Sequence, residues 1–138
     1  MSVAPPAAQA MIAIMQPELD PEIYCFVSMP EGYRSNQIAQ LALASFREEE
    51  GISFILPLAA AQAFFLPDDQ PQRRIVLNVR SPLDAVGLTA AVSAALAQAG
   101  IPCNCVAAFH HDHVFVPERQ AADAMQRLKE LQAEVRSA

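Results

Sequence analysis

Apolar residues fall along this chain in short blocks whose period switches between helix and strand, and the switches mark its elements. Ala7 to Met15, rich in Ala, Met and Ile, predicts a short helix, with Pro17 and Pro21 stopping it and framing a turn. Glu22 to Met29, EIYCFVSM, has the aromatic and β-branched content of a buried strand, ended by Pro30-Glu31-Gly32. Tyr33 to Gln40 shows no clear period and is expected to be a loop. Glu48-Glu49-Glu50-Gly51 then divides two apolar stretches, and a Gly there suits a hairpin connection. Pro57 opens a helix over LAAAQAFF, and Asp68 to Gln72 is a surface loop.

The second half of the pattern is sharper. Arg73 to Val79 predicts a strand. At Ser81 the helix-start signals coincide: Ser as N-cap, Pro82 at the first helical position, and Asp84 closing a variant of the capping box. The predicted helix runs through Val86, Gly87, Ala90, Ala94 and Ala97 and stops at Gly100. Gly87 early in a helix costs about 1 kcal/mol against Ala, so either something comes near it or the helix packs closely on a sheet. Ile101 to Phe109 is a strand, His110 to His113 a turn, and Val114 to Val116 the returning strand. Pro117 starts a last helix with Ala121, Ala124, Met125, Leu128 and Leu131 on one stripe.

The succession hairpin, Pro, helix occurs twice. SFILPLAAAQAF at Ser53 to Phe64 lies over HVFVPERQAADA at His113 to Ala124, matching Pro57 with Pro117, and Phe46 with Phe109 ahead of the turns. Two related halves are expected: 17–70, degenerate and missing a clear first helix, and 71–138, a complete β-α-β-β-α. Residues 1–16 form a helix expected to pack on the first half. Each half is a split βαβ unit, so the fold class is α+β, ferredoxin-like, with mainly antiparallel sheets and helices on one face. Uncovered faces or edges of such sheets invite a second copy, which predicts a homodimer.

Composition narrows the class. Hydrophobic residues make up 53% and charged residues 17%, enough apolar surface for a sizeable core. The net charge is −6 and the basic residues are scattered, so neither nucleic acid nor an anionic membrane is an expected partner. The N-terminal MSVAPPAAQAMIAIMQ lacks the features of a secretory or transit signal, and the run Ile52 to Leu66 is too short to span a bilayer. Cys25, Cys103 and Cys105 fit no disulfide or zinc spacing and read as packing thiols. A cytoplasmic setting follows, and no cofactor is called for.

Val79-Arg80-Ser81-Pro82-Leu83-Asp84-Ala85-Val86-Gly87-Leu88, followed by a helix ending in Ala99-Gly100-Ile101, resembles the opening of an ACT domain. Phe46-Arg47-Glu48-Glu49-Glu50-Gly51 and His111-Asp112-His113-Val114-Phe115-Val116 are similar to segments of short bacterial tandem-ACT proteins of unassigned function, and that likeness covers about Met15 to Leu131. The resemblance implies a regulatory module, not an enzyme, that binds an amino acid or similar small ligand at the first-strand-to-helix turn, commonly between ACT units. By likeness to tandem-ACT arginine sensors, ligand contacts would fall on Gly87, Leu88 and Asp112. Unlike aspartokinase, the chain carries no catalytic domain.

The residues themselves add a chemical rationale. Free amides at the helix start, around Leu83 to Val86, suit a carboxylate, and Asp112 or Asp84 an ammonium group. The candidate ligand-binding set is therefore Ser81, Leu83, Asp84, Val86, Gly87, Leu88, Asn104 and Asp112, with Ser81 and Asp84 also explained as caps. The rival site is His110-His111-Asp112-His113, whose side chains are metal-ligand types. Adjacent strand residues point to opposite faces, so at most His111 with His113, or His110 with Asp112, converge. Hydrogen-bonding histidines at a turn are the plainer reading. The alternatives are an interaction module with a vestigial pocket, or a metal-dependent enzyme centred on that turn.

Overall fold

The computed structural model describes residues 4–80 and 84–138. The chain divides into two compact units, Pro21–Gln72 and a discontinuous one made of Met1–Asp20 with Arg73–Ala138. Strand β1 (Glu18–Met29) crosses the boundary and passes through Pro21, where a turn was expected.

In the Pro21–Gln72 unit the sheet order is β2 (Ala44–Glu48), β3 (Gly51–Pro57), β1. Both pairings are antiparallel, with Tyr24 opposite Pro57 and Glu48 opposite Gly51. Alternation sends Cys25, Val27 and Met29 of β1 to one face, where they pack with Phe54, Leu56, Ile38 and Ala61. The expected hairpin is there, with Glu49 and Glu50 at its tip, outside both strands. Gly51 is required: its φ is +147°, and a Cβ would run into the carbonyl oxygen of Met29.

The expected loop at Tyr33 to Gln40 is instead a helix, α2 (Tyr33–Ala39). Ser35 replaces the missing periodicity. Its hydroxyl accepts the Gly32 amide at 2.8 Å and donates to the Gly32 carbonyl at 3.0 Å, closing the first turn. Ser35 and Ile38, three apart, are the buried face. The first half therefore has the same β-α-β-β-α order as the second, completed by α3 (Leu58–Ala63). Pro57 and Pro117 repeat each other in backbone too, at φ −54° with ψ 140° and 139°.

The discontinuous unit has the order β1, β4 (Gln72–Val76), β6 (Asp112–Pro117), β5 (Asn104–Ala107), entered by β1 through Glu18–Asp20. Helices α4 (Leu88–Gln98), α5 (Ala121–Arg136) and α1 (Pro6–Ile14) cover a core of Ile75, Leu77, Leu88, Val92, Leu96, Val114, Val116 and Leu128. The expected stripe on α5 holds: Ala121, Ala124 and Leu128 are buried.

Helix α1 was expected on the first half, but it packs against α4 and α5 of the discontinuous unit. Ile12 and Met15 insert into that core. The C-terminal end of α1 is held by distant residues: Gln132 Nε2 donates to the carbonyls of Ile12 (3.0 Å) and Met15 (2.6 Å), and Arg136 donates twice to that of Ala13. These donors satisfy the orphan carbonyls of a short helix, a partnership invisible to any local reading.

Strand β4 ends at Val76, three residues before the expected end. Asn78 is left-handed at φ 52°, and its Nδ2 donates to the Gln16 carbonyl at 2.9 Å and to Glu18 Oε2 at 3.2 Å. Asn tolerates this conformation better than most residues.

Candidate functional site

The segment from the end of β4 to the start of α4 is the expected ligand-facing turn. Ser81 and Leu83 lie outside the described residues, so their capping and ligand roles stay as expectations. Helix α4 begins at Leu88, six residues later than the Pro82 start expected from the sequence. Its N-cap is Gly87, left-handed at φ 105°, a conformation that ends any helix arriving from Val86. The free amides therefore belong to the turn beginning at Leu88, not to Leu83–Val86. Asp84 cannot sit at N3 of this helix; it is exposed, and α4 carries no side-chain cap. Val86 is exposed and Leu88 buried, so these two point to different environments.

What comes near Gly87 is α1. A Cβ at Gly87 would lie 2.8 Å from Pro5 Cδ and 3.1 Å from Ala8 Cβ. Close packing explains this glycine, but the neighbour is the N-terminal helix and not the sheet. Sequence reasoning missed both Pro5 and Ala8; the small residue at Ala8, fully buried, is the only local hint.

Asp112 opens β6 beside the end of β4, where its backbone carbonyl accepts the Leu77 amide at 3.2 Å. Its side chain is 7% exposed, and Oδ2 is buried without a hydrogen-bond partner. Burial raises its pKa, opposed by the nearby His113 and His111. A buried carboxylate oxygen without a partner is costly.

Cys103 and Cys105 are half-buried and pack against the core. Burial pushes the Cys105 thiol up to about 12, with further contributions from neighbouring Cys103 and from Asp112. Cys105 is a poor nucleophile in this setting. Asn104 is on the opposite face: it pairs with Phe115, whereas Asp112 pairs with Ala107, and the odd separation of Asp112 from Phe115 places the two on different sides. The structure thus removes Asn104 from any pocket shared with Asp112.

The histidine turn separates likewise. His110 stacks edge-on against Phe109 at 4.9 Å, His113 lies within β6, and the Ala108 amide closes the turn on the His111 carbonyl at 3.0 Å. Burial lowers the His113 pKa, helped by Arg74 and His111 and opposed by Asp112. Among the described residues no group of three or more His, Cys, Asp or Glu is arranged to hold a metal ion. Arg74 is itself fixed by Asp20, to whose Oδ2 it donates from Nε at 3.0 Å and Nη2 at 2.6 Å.

ACT-domain sequence models match residues 8–73 and 70–130. A protein of unknown function from Vibrio cholerae, described as a possible transport protein, is 36% identical with a TM-score of 0.79, over 90% of this chain and 94% of its own. The chain belongs to the ACT-domain family. An Agrobacterium tumefaciens protein shares the fold at 16% identity and TM-score 0.67, covering 86% of this chain and 89% of its own. So does the ligand-free regulatory subunit of aspartate kinase from Thermus thermophilus, at 13% and 0.57, covering 83% and 95%. No protein of curated function matches the chain. ACT domains are regulatory modules, and this tandem-ACT chain is one in its architecture. No described helix is long and apolar enough to cross a membrane.

Proposed function

We propose that this tandem ACT protein is a regulatory module that binds an amino acid or similar zwitterion where β4 turns into α4. The observation that carries the reading is Asp112, a buried carboxylate with an unpartnered oxygen, on the strand that receives the Leu77 amide at the entrance to that turn. An ammonium group is the partner such an oxygen lacks. The first amides of α4, from Leu88 onward, suit the carboxylate end. Asp84, Val86, Gly87 and Leu88 contribute the turn itself, and Ser81 and Leu83 are further proposed contacts. We assign the module no catalytic reaction and place it in the reducing cytoplasm, where its three cysteines stay free.

The module is also proposed to act as a homodimer. Phe26 and Phe46 share the face of the Pro21–Gln72 sheet turned away from its core, and both are exposed, which supports pairing with a second copy. Sedimentation velocity tests it: Phe46→Ser should shift a dimer towards monomer, and a wild-type monomer at micromolar concentration removes the idea.

A thermal-shift screen of the protein amino acids tests the ligand. A binder present at a hundred times its Kd adds about 2.7 kcal/mol to stability, a rise of several degrees that Asp112→Asn should abolish. No shift with any of them would refute the reading. One observation favours the second reading, an interaction module with a closed pocket: Pro5 and Ala8 already fill the space over Gly87. The same screen separates the two.

A further inference from the structure

We infer that the first turn of α1 is a built-in cap over the α4 N-terminus, which must lift before a ligand reaches the Gly87–Leu88 backbone. The inference rests on the ligand site proposed above. Two contrasts within α1 carry it. Its first turn touches the glycine at the mouth of α4: Pro5 and Ala8 lie so close that not even a methyl group fits between them and Gly87. An incoming carboxylate would compete for that space. The two ends of α1 are also held differently. The C-terminal end is tied by Gln132 and Arg136, and the following residue Gln16 gives its amide to Leu77 at 3.0 Å and its carbonyl to Asn78. Among the described residues the N-terminal end has no side-chain cap, and Gln9 makes a local hydrogen bond there, from Nε2 to the Ala4 carbonyl at 2.6 Å.

A helix tied at one end by residues distant in sequence, and at the other, among the described residues, by local hydrogen bonds and apolar contact, opens from the second end, as local unfolding does elsewhere. Ile12 and Met15 stay in the core as anchors while Pro5 to Gln9 swing away. Because α1 lies outside the β-α-β-β-α pattern of either half, its movement would expose new surface without disturbing a sheet. Site occupancy would then be reported at the N-terminal segment.

The test uses full-length protein, each protein amino acid in turn, and two variants. Pro5→Ala removes the ring atoms facing Gly87 and leaves the helix otherwise intact. Ala8→Gly favours the lifted state through its lower helix propensity, by about fivefold. A cap taxes apparent affinity by the fraction of molecules with the site open, so both variants should bind the amino acid found in the screen more tightly, Ala8→Gly by up to about fivefold. Binding to wild type should also speed hydrogen exchange at the Gln9 amide, which bonds the Pro5 carbonyl, while the Met15 amide stays protected. Equal or weaker affinity in both variants, or unchanged Gln9 exchange on binding, overturns the cap and leaves the site standing. If wild type and both variants bind no amino acid, the site itself is refuted, and the cap with it.

Discussion

Gly87→Ala is the most exacting perturbation the fold offers. At φ 105° a residue with a Cβ is strained, by about 1–3 kcal/mol for backbone held in a sparsely populated region. The new methyl would also lie 2.8 Å from Pro5 Cδ and 3.1 Å from Ala8 Cβ. Forcing a methyl into a packed contact costs about 1–3 kcal/mol more. Reduced freedom of the unfolded chain gives back about 0.4–1 kcal/mol, leaving a net loss of about 1–5.6 kcal/mol. For 138 residues unfolding together, about 2.1 cal/mol/K of entropy per residue converts each kcal/mol into about 3 °C. The melting temperature should fall by about 3–19 °C in calorimetry. The double variant with Ala8→Gly should lose less than the sum of the two single changes, because the second substitution removes one of the clashing atoms. A fall under about 2 °C, or strict additivity, would refute both the left-handed cap and the proximity of α1.

Asp112 gives a pH signature. Its folded pKa lies above the ordinary 3.8, so the unfolded chain releases the proton first, and stability falls as pH rises from about 4 through the raised native value. Asp112→Asn should lack that fall, matching wild type in slope below pH 4 and gaining on it towards neutrality; parallel stability curves in urea titrations at stepped pH would contradict the burial argument. Arg74→Met removes the two donors to Asp20, costing about 1–3 kcal/mol, and should raise the His113 pKa, since the guanidinium helps to depress it. Ring-proton NMR titration reads that shift, and an unchanged or lower value would break the link between them. Ser35→Ala should cost about 1 kcal/mol, or about 3 °C, by opening the first turn of α2; an unaffected melting curve would mean that the Gly32–Ser35 exchange does not hold the helix.

Strong local chemistry was legible in the sequence. Pro57 and Pro117 each end a hairpin and start a helix because a fixed φ and a missing amide suit that one junction. Glu48–Gly51 and the α5 stripe were readable for the same kind of reason. The start of α4 misled because Ser81, Pro82 and Asp84 offer real capping chemistry to a helix that does not begin there; Gly87, which ends the preceding segment, looked like an interior residue. Helix α2 was missed because one serine hydroxyl, not periodicity, closes it. Above all, the partner of α1 could not be read, since Gln132 and Arg136 stand far along the chain from the carbonyls they satisfy. Of the geometry around the proposed site, Gly87, Leu88 and Asp112 were named from the sequence as expected contacts, whereas the neighbours Pro5 and Ala8 were not, and only sheet register could separate Asn104 from Asp112.

The discontinuity of the larger unit has a consequence for biosynthesis. The Pro21–Gln72 unit is contiguous and complete once its own residues have left the ribosome. The segment that emerges before it waits for partners made last: Met15 meets Gln132, 117 residues on, and Ala13 meets Arg136, 123 residues on. Until then Ile12 and Met15, buried in the finished protein, have no core to enter. Long-range closure of this kind is slow and leaves apolar surface exposed while it is pending. Nascent chains stalled before α5 should therefore hold a folded middle and a sticky leading end, which makes that end the natural place for a chaperone to bind.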